Sequence, residues 1–348
     1  MMQSASSPRL SIIVVSYNTR QMTINCLDSI YAQTEDSDFE LLVVDNASSD
    51  RSAEAIARHP RRPRLLALDD NIGFARANNL AAGDAKGDFI LLLNPDVIVN
   101  SGAIDALMAF AQTTPDAGIW GGRTLHADGS LNPSSCWGRM SPWNLLCRAS
   151  GLTGLFAGSE VFNSEAYGGW QRDSIRQVDI VSGCFLLIRR DLWERLGGFD
   201  PLFFMYGEEA DLCLRARALG AKPAITPQAT IIHFGGASES TRKSKMVKLL
   251  RAKASLIKRH WPRRWIALGL ALNALWPWSR WTAYRALWMM LGRPEYRDKA
   301  DTWREIWRAR QDWAQGYHGK GYHGKDNHNG RPPRPAPCHL AGSWGTAD

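Results

Sequence analysis

The sequence predicts an α/β protein with a mostly parallel, doubly wound sheet and a helical C-terminal extension. Three observations carry this. Short unbroken apolar runs, LSIIVVS at 10–16 and FILLL at 89–93 among them, alternate with segments of helical period over the first hundred residues. Such runs read as strands buried on both faces, and their alternation with helices implies parallel βαβ units. Apolar content is 45% and charged content 22% in 348 residues, enough for one large domain plus an appendage. From Arg242 to Arg293 the composition changes, with thirteen Lys or Arg, no Asp or Glu, and six tryptophans (Trp261, Trp265, Trp276, Trp278, Trp281, Trp288).

The elements follow in order. Residues 10–16 form the first strand, and 19–33 a helix with Cys26, Leu27 and Ile30 at helical spacing. The second strand, 39–44, ends at Asp45, and Asp50 stands where it can cap a helix running to about residue 58. A third strand at 64–68 leads into the loop DDNIGFARANN, then a helix at 78–85 and the fourth strand at 89–93. Beyond residue 100 come a helix at 101–112, strands at 119–125 and 179–189, and a short helix at 191–196 stopped by Gly197-Gly198. A helix at 208–219 ends at Gly220, and a last strand at 223–234 carries His233 near its end. Residues 132–176 are loop-rich. The expected organisation is an α/β domain over 1–240, a basic, Trp-rich helical region over 241–315, and a disordered tail over 316–348. The tail repeats GYHGK in tandem before a Pro-, Arg- and Gly-rich end, and its histidines read as part of a duplicated flexible segment rather than a metal site.

Net charge is +8, concentrated in the 241–315 region. Basic side chains attract anionic headgroups and Trp favours the membrane interface. The uncharged stretch 265–279 is too short to span a bilayer and contains Pro277. The region is therefore expected to lie on an anionic membrane surface, the alternative being a basic helical subdomain with its tryptophans packed inward. No nucleic-acid motif accompanies the charge, so no nucleic-acid partner is expected. Six cysteines without C-x-x-C spacing suggest reduced thiols, and MMQSASSPRL holds no apolar run of the secretory kind. The expected location is cytoplasmic, peripheral on the inner face of the membrane.

The chemistry sits at strand ends. The first strand ends in SYNTR, which is neither G-x-G-x-x-G nor a P-loop, so phosphate must be neutralised another way. Asp45 in VVDNASSD can accept from an N–H or a ribose hydroxyl, or bind its own turn. In LLLNPDV, Pro95 ends the ladder and leaves Asp96 free to hold a cation. A cation bridging one carboxylate and a diphosphate suits Mg²⁺ or Mn²⁺, and an imidazole ligand from His233 tilts the choice toward Mn²⁺ over Ca²⁺. Glu208, Glu209 and Asp211 open a helix next to the apolar segment GGFDPLFFMYG. Acids beside an apolar wall have raised pKa values, which suits a general base.

SIIVVSYNT, VVDNASSD, NIGFARANN, LLLNPDV, VSGCFLLIRR, GGFDPLFFMYGEEADLCLRARALG and IIHFGGAS occur in this order. Together, over roughly residues 10–240, they resemble family 2 glycosyltransferases of the GT-A (nucleotide-diphospho-sugar transferase) fold, nearest the rhamnosyltransferase branch. The resemblance implies an inverting, metal-dependent transfer from a nucleoside-diphosphate sugar, with dTDP-rhamnose the expected donor. The acceptor would be a glycan or a polyprenyl-linked glycan in cell-surface polysaccharide synthesis. It places Asp45 on the donor nucleoside and Tyr17, Asn18, Asn71, Gly73 and Asn94 around the donor. Asp96 takes the last position of a D-x-D motif whose first acid is here Asn94, and His233 the position of a further metal ligand. The catalytic base falls on Glu209, with Asp211 the alternative. Two other readings stand beside it: a non-catalytic nucleotide-sugar or glycan-binding protein with a decayed site, and a sugar-phosphate nucleotidylyltransferase, which would need a glycine-rich basic turn where SYNTR stands.

Overall fold

A computed structural model describes residues 9–235 and 241–317; the second GYHGK copy and the rest of the expected tail lie outside the described residues. The first half runs β1 (Leu10–Ser16), α1 (Arg20–Gln33), β2 (Phe39–Asp45), α2 (Ser52–Ala57), β3 (Arg64–Ala67), α3 (Phe74–Gly83), β4 (Phe89–Leu93), β5 (Val97–Val99), α4 (Ala103–Thr113) and β6 (Ile119–Leu125). The second continues with β7 (Cys136–Trp137), α5 (Pro142–Ser150), α6 (Leu152–Leu155), β8 (Arg176–Gln177), β9 (Ile180–Val181), β10 (Phe185–Arg189), α7 (Arg190–Leu196), α8 (Glu208–Ala218) and β11 (Ala224–His233). Four more helices follow among the described residues: α9 (Arg242–His260), α10 (Arg263–Leu291), α11 (Pro294–Arg308) and α12 (Arg310–Trp313).

The main sheet has the order β3-β2-β1-β4-β10-β6-β11-β5, with β8 on β11. Its first four strands are parallel; β10 then runs antiparallel between β4 and β6. The unbroken apolar runs are explained by burial on both faces. Ile13, Leu42 and Leu92 pack into one core with α3 and α8, while Ile12, Val43 and Leu91 pack into another with α1 and α4. Each such side chain is fully buried, which stabilises the fold by about 1.5–3 kcal/mol apiece.

Three expectations need correction, and one run left unassigned, that after Asp96, finds its place. The helix expected from 78 begins at Phe74: Gly73, at φ 84°, turns the chain, and the Phe74 N–H donates to the Phe204 carbonyl. The single strand expected over 179–189 is two, because β9 leaves to pair with β7 and Ser182-Gly183-Cys184 breaks the ladder before β10. The apolar run after Asp96 is a strand, β5, on the far edge of the sheet beside β11. The loop-rich stretch 132–176 holds α5, whose start is fixed by reciprocal capping between Ser141 and Asn144.

The C-terminal helices pack on the sheet domain rather than standing apart. Asp211 of α8 binds Arg259 and His260 of α9, and Ser279 and Arg280 of α10 donate to the carbonyls of Ala149 and Arg148. Tyr317, expected in the tail, packs on the fold: its hydroxyl donates to the Met205 carbonyl and its ring meets Phe203 edge-on. α10 passes through Pro277 for 29 residues. Among the described residues no helix is long and apolar enough to cross a membrane. The tryptophans divide: Trp276 and Trp281 pack inward with Trp303 and Trp313, and Trp261 with Ile257 and Leu272, whereas Trp265 and Trp278 stay over 40% exposed.

Candidate active site

Because β1, β2 and β4 are parallel, their carboxyl ends share one edge of the sheet, the edge where open α/β sheets bind ligands. Asp45 ends β2 beside Ser16 of β1. Its Oδ2 accepts from the Ser48 N–H at 3.0 Å, while its Oδ1 is buried with no partner among the described residues. Both the turn reading and the ligand reading thus have an oxygen each. Asn18, at φ 53°, ties the turn after β1 to that after β2: its N–H donates to Ser48 Oγ and its Oδ1 accepts from the Ser49 N–H. Tyr17 stands half-buried beside it.

The loop before α3 is held by a residue the sequence reading passed over. Asn46, buried, donates from Nδ2 to Asn71 Oδ1 and accepts at Oδ1 from the Ile72 N–H, each at 3.0 Å. Asn71 Oδ1 also accepts from the Gly73 N–H. A Cβ on Gly73 would lie 2.7 Å from the Phe204 ring, so glycine lets this loop close against the segment before α8. The signal was in VVDNASSD, where Asn46 follows Asp45 directly.

Beyond β4, the Asn94 N–H donates to the Cys184 carbonyl at 3.2 Å. His233 Nε2 lies 3.3 Å from Asp96 Oδ1 and 3.4 Å from Asn94 Nδ2. These contacts ask opposite things of one nitrogen, and the charge-assisted bond to Asp96 is the stronger. Burial disfavours charge on His233, but the neighbouring Cys184 and Asp96 outweigh it and its pKa is pushed up to about 10. Two ligands of one octahedral ion with bonds of about 2.1 Å lie about 3.0 Å apart, so Asp96 and His233 fit adjacent positions on a small divalent cation. Among the described residues no group of three or more His, Cys, Asp or Glu is placed to hold a metal; the remaining positions would fall to donor oxygens and water.

On the other side of residues 183–184 stands Glu209. A Cβ on Gly183 would lie 3.6 Å from Glu209 Cβ, so the chain that meets Asn94 through Cys184 meets Glu209 one residue earlier. Burial raises the pKa of Glu209, and burial plus the adjacent Glu209 charge raise that of Glu208 well above the usual value. Each has a buried Oε2 with no partner among the described residues. Asp211 is different. It is fully buried and accepts from Arg215 Nε at 2.7 Å, Arg259 Nε at 2.7 Å and His260 Nε2 at 2.8 Å. Burial alone would raise its pKa, but these three partners hold it below the usual value. Asp211 therefore clamps α9 to α8, whereas Glu209 keeps a free oxygen.

The structure thus brings Asn94, Asp96 and His233 into contact, packs Glu209 on Gly183, the neighbour of Cys184, and places Tyr17, Asn18, Asp45, Asn71 and Gly73 along the same sheet edge. Asp211 instead holds Arg215, Arg259 and His260.

Residues 11–196, over half of the chain, match the family model described as glycosyl transferase family 2. O-antigen biosynthesis protein RfbC of Myxococcus xanthus is 31% identical over 243 residues, which is 67% of this chain but 18% of that protein. The N-acetylglucosaminyl-diphospho-decaprenol L-rhamnosyltransferase of Mycobacterium tuberculosis is 31% identical over 235 residues, 64% of this chain and 75% of that one. Among solved structures, a mannosyltransferase from Pyrobaculum calidifontis, in complex with GDP-Man and Mn²⁺, superposes with a TM-score of 0.56 at 18% identity, covering 89% of this chain and 88% of that one. At that identity the likeness bears on the fold, which is the GT-A fold.

Proposed function

The chain belongs to glycosyltransferase family 2, in its rhamnosyltransferase-like part, and from that premise we propose that it moves a sugar, L-rhamnose from dTDP-rhamnose, onto a glycan or lipid-linked glycan during polysaccharide synthesis. The observation that carries this is the Asp96–His233 contact at the carboxyl edge of the sheet, together with the packing of Glu209 on Gly183, the neighbour of the Cys184 that accepts from the Asn94 N–H.

In this reading Asp45 Oδ1 accepts from the donor nucleoside, and the Asn46–Asn71–Gly73 loop shapes the pocket around it. Asp96 and His233 would hold Mg²⁺ or Mn²⁺, which when bound neutralises charge on the departing diphosphate. Glu209 takes the proton from an acceptor hydroxyl. That oxygen bonds to the anomeric carbon as the carbon–diphosphate bond breaks, and the nucleoside diphosphate leaves with the electron pair. Attack from the face opposite the leaving group inverts the configuration. Burial serves the base: a carboxylate with a raised pKa holds the abstracted proton more firmly. Alignment of the two substrates supplies much of the remaining rate gain. The exposed side of α10 would hold the enzyme at the inner face of the cytoplasmic membrane.

The test is a thermal-shift panel of nucleoside diphosphates and their sugars, with and without Mn²⁺. A ligand that binds only the folded form must raise the transition. Stabilisation by dTDP and its sugars that depends on the cation supports the donor and the Asp96–His233 pair together. Equal shifts in chelator refute the metal role, and no shift with any nucleotide favours the binding-protein alternative with another ligand.

A further inference from the structure

Residues 203–207 form a strap between the Gly73 loop and the start of α8. At one end the Phe204 carbonyl accepts from the Phe74 N–H at 3.0 Å, and the Phe204 ring closes on Gly73. At the other end Gly207, at φ 92°, leads into α8, whose first turn carries Glu208 and Glu209. Between them stands Tyr206, at φ 70°. An aromatic residue seldom takes that left-handed conformation. It persists only where the surroundings hold it, and such strain gathers at functional sites.

The hold comes from 112 residues further along the chain. Tyr317, in the first GYHGK copy, donates from its hydroxyl to the Met205 carbonyl, the peptide oxygen directly before Tyr206. The peptide unit is planar, so fixing that oxygen sets the plane from which Tyr206 turns. Tyr317 is itself held on several sides. Its ring meets Phe203 at 5.8 Å between centroids, and the Arg251 guanidinium lies 5.8 Å from the ring centroid. Its N–H donates to Oγ of buried Ser255 on α9 at 2.7 Å. A Cβ on Gly316 would lie 2.7 Å from the same Oγ, so glycine lets the chain close there. α9 also backs the start of α8, where a Cβ on Gly207 would lie 3.1 Å from Ala252 Cβ. Burial, and after it the charge of Glu208, raise the pKa of Tyr317, so the hydroxyl keeps the proton it donates.

Resting on the transfer reading above, we propose that Tyr317 is a positioning residue for the reaction: by holding the Met205 carbonyl it keeps the Tyr206–Gly207 turn left-handed, and so fixes where Glu209 stands relative to the Gly73 loop. The C-terminal helices thereby act on the chemistry through one hydroxyl.

Tyr317→Phe in the full chain tests this, because it removes the hydroxyl and keeps the ring for Phe203. Tyr322 has the same sequence neighbours in the second GYHGK copy. The change is therefore made together with Tyr322→Phe, and Tyr322→Phe alone serves as reference. The double variant should lose about three- to tenfold in kcat, the scale of one hydrogen bond. The donor KM and the dTDP dissociation constant should stay as in the reference, because the Phe204 contacts to Gly73 and Phe74 remain. Hydrogen exchange in peptides spanning 204–212 should quicken by a similar factor while β1, β2 and β4 exchange as before. Reference kcat in the double variant overturns the proposal, whether or not the unfolding midpoint falls. A loss confined to the donor KM overturns it too. Wild-type protein that transfers no sugar from any nucleoside-diphosphate donor would defeat the transfer reading by itself. Exchange over 204–212 needs no turnover, and a rate equal to the reference would still remove Tyr317 as the hold on the strap.

Discussion

Replacing Asp211 with Asn separates the two acids that the sequence left in competition for the base. The change keeps shape and removes charge from a fully buried group held by Arg215, Arg259 and His260 at 2.7–2.8 Å. Stripping one partner from a buried ion pair costs about 3–5 kcal/mol. Here the cations keep other partners: Arg215 still donates to the carbonyls of Leu196 and Gly198, and Arg259 still reaches Asp200 at 2.6 Å. The cost should therefore fall near the low end, about 3 kcal/mol. At about 2–4 °C per kcal/mol the midpoint drops by about 6–12 °C. The pH dependence has a definite sign. Asp211 has a folded pKa below its usual 3.8, so its stabilisation is present above 3.8 and lost as pH falls through the lower folded value; Asp211→Asn lacks that acid-side loss. Thermal unfolding gives the midpoint, and a transfer assay well below the transition gives the rate. Lowered stability with transfer retained is expected. An unchanged midpoint with transfer abolished would refute the assignment and return the base to Asp211.

Three further outcomes follow from the same geometry. Glu209→Gln should lower the transfer rate by about 10²–10⁴-fold, the usual worth of a general base, with donor binding kept, whereas Glu208→Gln, which mimics the protonated acid, should keep most of the rate; equal losses would contradict the assignment. Without divalent cation, the His233–Asp96 contribution is complete below pH 6.5 and lost as pH rises toward about 10. Urea unfolding across that window should show an alkaline loss that His233→Gln abolishes, and an unchanged slope in the variant would refute it. Leu275→Glu with Trp278→Glu, on the exposed side of α10, should release the protein from vesicles of anionic lipid in co-sedimentation with the fold intact; persistent binding would exclude that side as the membrane contact.

The parallel half of the sheet was legible because each strand is buried on both faces and so appears as an unbroken apolar run, as Leu91 and Leu92 show by packing into opposite cores. The antiparallel half was harder. β7, β8 and β9 have two residues each, too short for any period, and the break between β9 and β10 is made by tertiary pairing. The start of α3 at Phe74 depends on a bond to Phe204, 130 residues away. The strand-end positions of Asp45 and Asp96 followed from where apolar runs stop. The distinction between Glu209 and Asp211 did not, because both open one helix and only the C-terminal Arg259 and His260 divide them. Likewise the division of the tryptophans between interior and surface is set by α5 and α11 packing on α10, which composition does not encode.

Sugar transfer at this site requires that Asp96, His233 and Glu209 face a single donor diphosphate. Diffraction at the manganese edge from crystals grown with dTDP and Mn²⁺ tests it directly. An anomalous peak is expected between Asp96 and His233, with diphosphate oxygens completing the metal's ligands and Glu209 unligated on the sugar side. Manganese bound by Glu208 and Glu209 instead, or a diphosphate seated away from the β4 end, would contradict it.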